Sequence, residues 1–113
     1  MGKIAEYRKA VISIMEEHAK LKPVNLQDVE NQVLVDEKNG HYQLVSLGWE
    51  GRAFNYAIIY HFDIRPDGKV WIQANNTDLD VAEELVARGV LSTDIVVGFQ
   101  HPLYRSHTGY AVA

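Results

Sequence analysis

Apolar side chains recur along this chain at two periods, and the change of period divides it into elements. Ile4, Tyr7, Val11, Ile14, His18 and Leu21 stand three and four residues apart, which is one stripe of an α-helix. Glu6, Lys9, Ser13, Glu16 and Lys20 fall on the other faces, with Glu16 and Lys20 favourably paired one turn apart. Pro23 is expected to end the helix, because its ring cannot continue the hydrogen-bond ladder. His18, on the apolar stripe, reads as a partly buried helix histidine rather than a ligand.

From Val29 to Asn75 the period is two. Asn39-Gly40 predicts a type I′ hairpin turn, with positive φ at both residues, between strands at about 29–37 and 41–49. Another tight turn near Glu50-Gly51 leads into a long strand ending at Ile64. In "RPDGK", Pro66 presets φ, Asp67 accepts local hydrogen bonds and Gly68 takes the left-handed position. A last strand covers Lys69 to Ala74. The expected core is a four-stranded antiparallel meander.

Alternation sorts the faces. Tyr60, Phe62, Ile64, Val70, Ile72 and Ala74 point into the core, and His61, Asp63, Trp71 and Gln73 point the other way. A two-residue turn at Glu50-Gly51 adds Tyr42, Leu44, Ala57 and Ile59 to that second face, with Val33 and Val35 beside them. A half-apolar face of this kind requires cover from a helix, the C-terminal segment or another chain.

After the sheet, Thr77 is the expected N-cap of a second helix, with Asp78 and Asp80 in its first turn. Leu79, Ala82, Leu85 and Val86 make its apolar side, and Gly89 its left-handed end, with Val90 closing back onto Leu85. In the tail, Ser92 or Thr93 starts a short turn and Pro102 another. Ile95, Val96, Val97 and Phe99 read as buried, and "TGYAVA" as a packed end.

A length of 113 residues suits one α+β domain over 1–113, with a helix before the sheet and one after it. The absence of cysteine excludes disulfides, thiolate metal sites and cysteine nucleophiles. No apolar run reaches the roughly 20 residues that cross a membrane, and the first helix lacks the apolar core of a secretory signal. A cytoplasmic protein without membrane contact is expected. Eleven Lys and Arg are scattered among fifteen Asp and Glu, the reverse of the clustered positive charge that drives direct DNA binding.

The chemistry on offer is sparse. His61 and Asp63 put two ligands on one strand face, short of the three or four that zinc takes. His41, His101 or His107 could complete a set, but nothing in the sequence brings them near, so neither metal nor cofactor is expected. Serines 13, 46, 92 and 106 sit in no nucleophile elbow, and "GWEG" is a hairpin turn rather than a phosphate loop. His61 and Asp63 as base and orienter would be the one catalytic pairing, and the chain reads as a non-enzyme. Trp71 with Tyr42 could stack bases, but large amphipathic rings fit a protein interface better on an acidic chain.

The segments "HYQLVSLGWEG", "HFDIRPDGKVWIQ", "TDLDVAEELVARGV", "DIVVGFQHP" and "TGYAVA", in this order and spacing, resemble the XisI-like family. These are the fdxN element excision controlling factors of filamentous cyanobacteria. The resemblance covers almost the whole chain. Asn75-Asn76 and Val90-Leu91, which lacks a following Pro, depart mildly from the pattern. The resemblance implies an α+β domain on an antiparallel sheet and a role in controlling DNA-element excision during heterocyst development. It implies that a separate site-specific recombinase does the cutting, and that an XisH-like companion with a nuclease-like fold is the partner. It carries no catalytic residues.

The expected function is therefore a non-enzymatic regulatory factor working through protein contact, with any DNA contact indirect. The expected partner-binding residues are His61, Asp63, Trp71, Gln73 and Tyr42 on the second face and Arg105 and His107 in the tail. They would meet an XisH-like protein or a second copy of this chain. An antitoxin-like inhibitory subunit of a nuclease-fold partner and a direct DNA-binding accessory factor are the alternatives.

Overall fold

The computed structural model describes residues 2–21 and 28–113. Helix α1 (Lys3–Ala19) precedes strands β1 (Val29–Asp36), β2 (His41–Glu50), β3 (Ala53–Ile64) and β4 (Val70–Asn75). Helix α2 (Val81–Ala87) and strand β5 (Ile95–Val97) follow. The strands form one five-stranded sheet in chain order. β1 to β4 are antiparallel and β5 lies parallel to β4. The expected four-stranded antiparallel meander is thus a five-stranded mixed sheet. β5 is too short to show a period of its own, and its parallel pairing depends on α2 crossing over between the two strands.

Both helices lie on one face. Tyr7, Ala10, Val11, Ile14 and Met15 of α1 and Val81, Ala82 and Leu85 of α2 are buried. They share one cluster with Tyr42, Leu44, Tyr60, Phe62, Ile64, Val70, Ile72 and Ile95 of the sheet. The helical stripe of the sequence is confirmed at its centre, but Leu21 is exposed. α1 ends at Ala19 with Lys20 as its C-cap, and Pro23 lies outside the described residues. Asp94, immediately before β5, is buried and ties the first helix to the entry of the last strand. Its Oδ2 accepts from the Tyr7 hydroxyl at 2.6 Å and from Lys3 Nζ at 3.2 Å. The Tyr7 oxygen accepts in turn from the Leu91 N–H at 3.3 Å.

Several local expectations change. No residue other than glycine has positive φ among the described residues, so Asn39-Gly40 is not a type I′ turn. Asp36 pairs with His41, and the loop from Glu37 to Gly40 closes with Gly40 alone at φ 73°. The Asp36 carboxylate accepts from Asn39 N–H and Asn39 Nδ2 and so stabilises this longer loop. Helix α2 starts later than Thr77. Asp80 is its N-cap, accepting from Glu83 N–H, while Thr77 Oγ1 accepts from Leu79 N–H in the preceding turn. Leu79 and Val86 are consequently exposed. Gly89 ends the helix at φ 98°, and Val90 N–H bonds back to Leu85 O as expected. Phe99 is exposed, whereas Ile95 and Val96 are fully buried.

The two faces of the sheet also differ from expectation. Glu50 pairs with Ala53, so Gly51 and Arg52 form the turn, and the ladder runs regularly as far as Val45 and Ile58. The next pair is Leu44 with Tyr60, leaving Ile59 unpaired as a β-bulge. One extra residue reverses the alternation. Tyr42 pairs with Phe62 and Leu44 with Tyr60, and both are buried beneath the helices, with the partly buried Val33 and Ile59 packed against the same cluster. Ala57 and Val35 follow to the same side by alternation. By this register none of the six points to the second face, although Val35, on the edge strand, also lines the groove there.

Candidate functional site

The face opposite the helices is left uncovered over most of β1 to β3. Alternation from the observed register gives it Leu34 of β1, Gln43, Val45, Leu47 and Trp49 of β2, and Phe54, Tyr56, Ile58, His61 and Asp63 of β3. Trp71 and Gln73 of β4 continue it. One end is aromatic. Trp49 and Phe54 pair across the ladder with ring centroids 5.2 Å apart, and Tyr56 follows. These three are 57%, 52% and 66% exposed, values high for rings in a sheet.

The other end is polar and built around Asp63. His41 pairs directly with Asp63 across the ladder, and Gln43 pairs with His61. His41 Nδ1 is 2.7 Å and His61 Nε2 2.9 Å from the same oxygen, Asp63 Oδ1. Since a carboxylate only accepts, both ring nitrogens carry their protons there. That leaves His61 Nδ1 to accept from Gln43 Nε2 at 3.3 Å. A second β-bulge leaves Gln73 without a partner between the pairs His61–Ala74 and Phe62–Ile72, and its amide donates to Asp63 Oδ2 at 3.1 Å. Gly98 makes room for it, because a Cβ there would stand 2.6 Å from Gln73 Oε1. Burial raises the Asp63 pKa, but the hydrogen bonds from His41, Gln73 and His61 outweigh it and hold the carboxyl below its ordinary value. Leu34, Val35, Asp36, His41, Gln43 and His61 line a groove of about 310 Å³ beside the cluster.

The expected quartet of His61, Asp63, Trp71 and Gln73 does share one face. Tyr42 does not join it. It is 1% exposed in the core, where its hydroxyl accepts from Arg8 Nε at 3.0 Å. Trp71 lies between two guanidinium groups, with Arg65 Cζ 3.9 Å and Arg105 Cζ 5.0 Å from its ring. Arg105 is committed to the tail: it donates to the carbonyls of Gln100 at 3.1 Å, Gly98 at 3.2 Å and Val112 at 3.5 Å. His107 is exposed in the 3₁₀ turn Pro102–His107, and no hydrogen bond joins it to the Asp63 cluster among the described residues. Sequence reasoning named His41 only as a possible third ligand that nothing brought near, and it missed Gln43 and the aromatic end. The signal was there in the matched triplets His41-x-Gln43 and His61-x-Asp63, which a correct strand register superimposes.

Among the described residues no helix is long and apolar enough to cross a membrane. A family model described as XisI protein matches residues 1–112. The chain is similar to the crystal structure of a XisI-like protein from Anabaena variabilis ATCC 29413. The identity is 43% and the TM-score 0.88, over 97% of this chain and 99% of that one. It is also similar to the fdxN element excision controlling factor XisI from the same organism. There the identity is 32% and the TM-score 0.82, over 99% of this chain and all of that one (100%). No curated protein matches the chain.

Proposed function

Since this chain belongs to the XisI family, we propose that it is a non-enzymatic regulatory factor that controls the excision of a DNA element through protein contact. The recombination chemistry belongs to a separate enzyme, and the contact is made with an XisH-like partner. The observation that carries this reading is the uncovered sheet face. Leu34, Trp49, Phe54 and Tyr56 are exposed on it, beside the polar Asp63 cluster. An exposed aromatic end beside satisfied polar groups has the composition of a protein interface. The charge balance, eleven basic against fifteen acidic residues, favours protein over phosphate backbone as the partner.

The test is to mix the purified chain with its XisH-like neighbour and to measure the mass of the complex by light scattering. Trp49→Asp and Tyr56→Asp change only exposed side chains, so they leave the fold intact and are expected to abolish the complex. A mixed complex that survives both substitutions would place the contact elsewhere. The absence of any mixed complex, with the chain alone dimeric and the dimer lost in both variants, would make the face a self-association surface.

A further inference from the structure

We infer that His41, His61 and Asp63 form a binding site for a single divalent transition-metal ion, with zinc as the best-matched occupant. The three side chains converge. One ligand atom from each of the three residues lies within 4.8 Å of the other two. Two imidazoles and one carboxylate are a donor set for zinc and its neighbours. Magnesium and calcium prefer oxygen alone.

The present hydrogen bonds are close to what coordination needs. His41 Nδ1 and His61 Nε2 stand 2.7 and 2.9 Å from Asp63 Oδ1. Ligands of a tetrahedral ion bound at about 2.0–2.2 Å are roughly 3.3–3.5 Å apart, so each donor moves by about half an ångström. His41 has the freedom to do so, its side chain being 52% exposed, while Asp63 at 14% is the fixed member. The remaining position would be left to water, as in sites with three protein ligands.

The surrounding amides fit the same reading. A metal ion at His61 Nε2 moves that ring's proton to Nδ1. The side chain already facing Nδ1 is Gln43, whose amide turns over to present Oε1 as the acceptor. Gln73 holds Asp63 Oδ2 and so leaves Oδ1 aimed at the two rings. His41 Nε2 bonds to nothing among the described residues and takes up its ring's proton when Nδ1 binds.

The experiment is a calorimetric titration of untagged, chelator-treated protein with zinc, paired with a cobalt titration followed by visible absorption. One ion per chain is expected. Asp63→Asn and His61→Ala should each weaken zinc binding by tenfold or more, and Gln43→Ala by about tenfold through ring orientation. His101→Ala and His107→Ala should leave it unchanged. Thermal unfolding of each variant without metal separates loss of the site from loss of the fold. Absence of saturable binding, or binding of full strength in a folded His61→Ala, Asp63→Asn double variant, overturns the inference. So does dependence on His101 or His107. All of these readouts are taken on the isolated chain, so they are independent of the partner-contact reading.

Discussion

His41 and Asp63 stand 22 residues apart in the chain and directly opposite each other across β2 and β3, with Nδ1 and Oδ1 2.7 Å apart. Asp63 thereby becomes the shared acceptor of three side chains on an otherwise open face. Removing it leaves His41, His61 and Gln73 without their acceptor. Asp63→Ala is expected to cost about 1–2 kcal/mol at pH 7, measured by urea unfolding, since the partners are partly exposed and water replaces some of the loss. The folded carboxyl titrates below its ordinary value of 3.8. Its stabilising share is present above that value and fades as pH falls through it toward the folded pKa. The gap between the parent chain and the variant should therefore shrink below about pH 4.

Tyr7 and Asp94 form the more buried contact, which joins α1 to β5. The hydrogen bond from Tyr7 outweighs the desolvation of the Asp94 carboxyl, and Lys3 assists, so its pKa is held below 3.8. Tyr7→Phe is expected to cost about 1–2 kcal/mol and Asp94→Ala about 2–3 kcal/mol. The two losses should be less than additive in a double-mutant cycle, because both remove the same bond. The sign with pH is that of Asp63: the contribution is full above the ordinary carboxylate value and declines in acid.

His18 acts in the opposite sense. Burial lowers its pKa below 6.5, its ring meets Tyr60 edge-on at 5.3 Å, and its buried Nδ1 has no partner among the described residues. The unfolded chain binds the proton more readily, so stability falls as pH drops below about 6.5. His18→Leu should flatten the stability profile between about pH 5 and 7 and add about 1 kcal/mol at pH 7. Thermal unfolding over that range checks both.

Gly98 controls the site from β5's far end. Gly98→Ala should move the flexible Gln73 amide off Asp63 at a stability cost within about 1 kcal/mol. In NMR spectra the Gln73 side-chain amide resonances would shift while those of the α1 core stay in place. A collapse of the whole spectrum would show instead that Gly98 is required by the backbone.

Arg105 holds the tail by three carbonyls and stacks over Trp71. Arg105→Ala should speed hydrogen exchange at the Ala111 N–H, which bonds to Ile95 O at 2.8 Å, by tenfold or more. The α1 amides should be unaffected.

By itself the sequence determined the local elements. The three-four stripe of Tyr7, Val11 and Ile14, the period-two run from Val29 and the Gly89 helix end were all legible, because each depends on neighbours within a few residues. So was the face shared by His61, Asp63, Trp71 and Gln73, read from alternation within one hairpin, although the bulge at Gln73 sets Ala74 opposite His61 and not in the core. The resemblance to the XisI-like family was equally a property of the sequence, and the family match bears it out. Tertiary structure decided what depends on counting residues between strands. The bulge at Ile59 sent Tyr42 and Leu44 into the core, and the register brought His41 to Asp63. A single extra residue exchanges the two faces of a strand, and no composition or period announces it. Likewise β5 and the Tyr7–Asp94 bond exist only because α2 returns the chain to β4, so segments far apart in sequence meet.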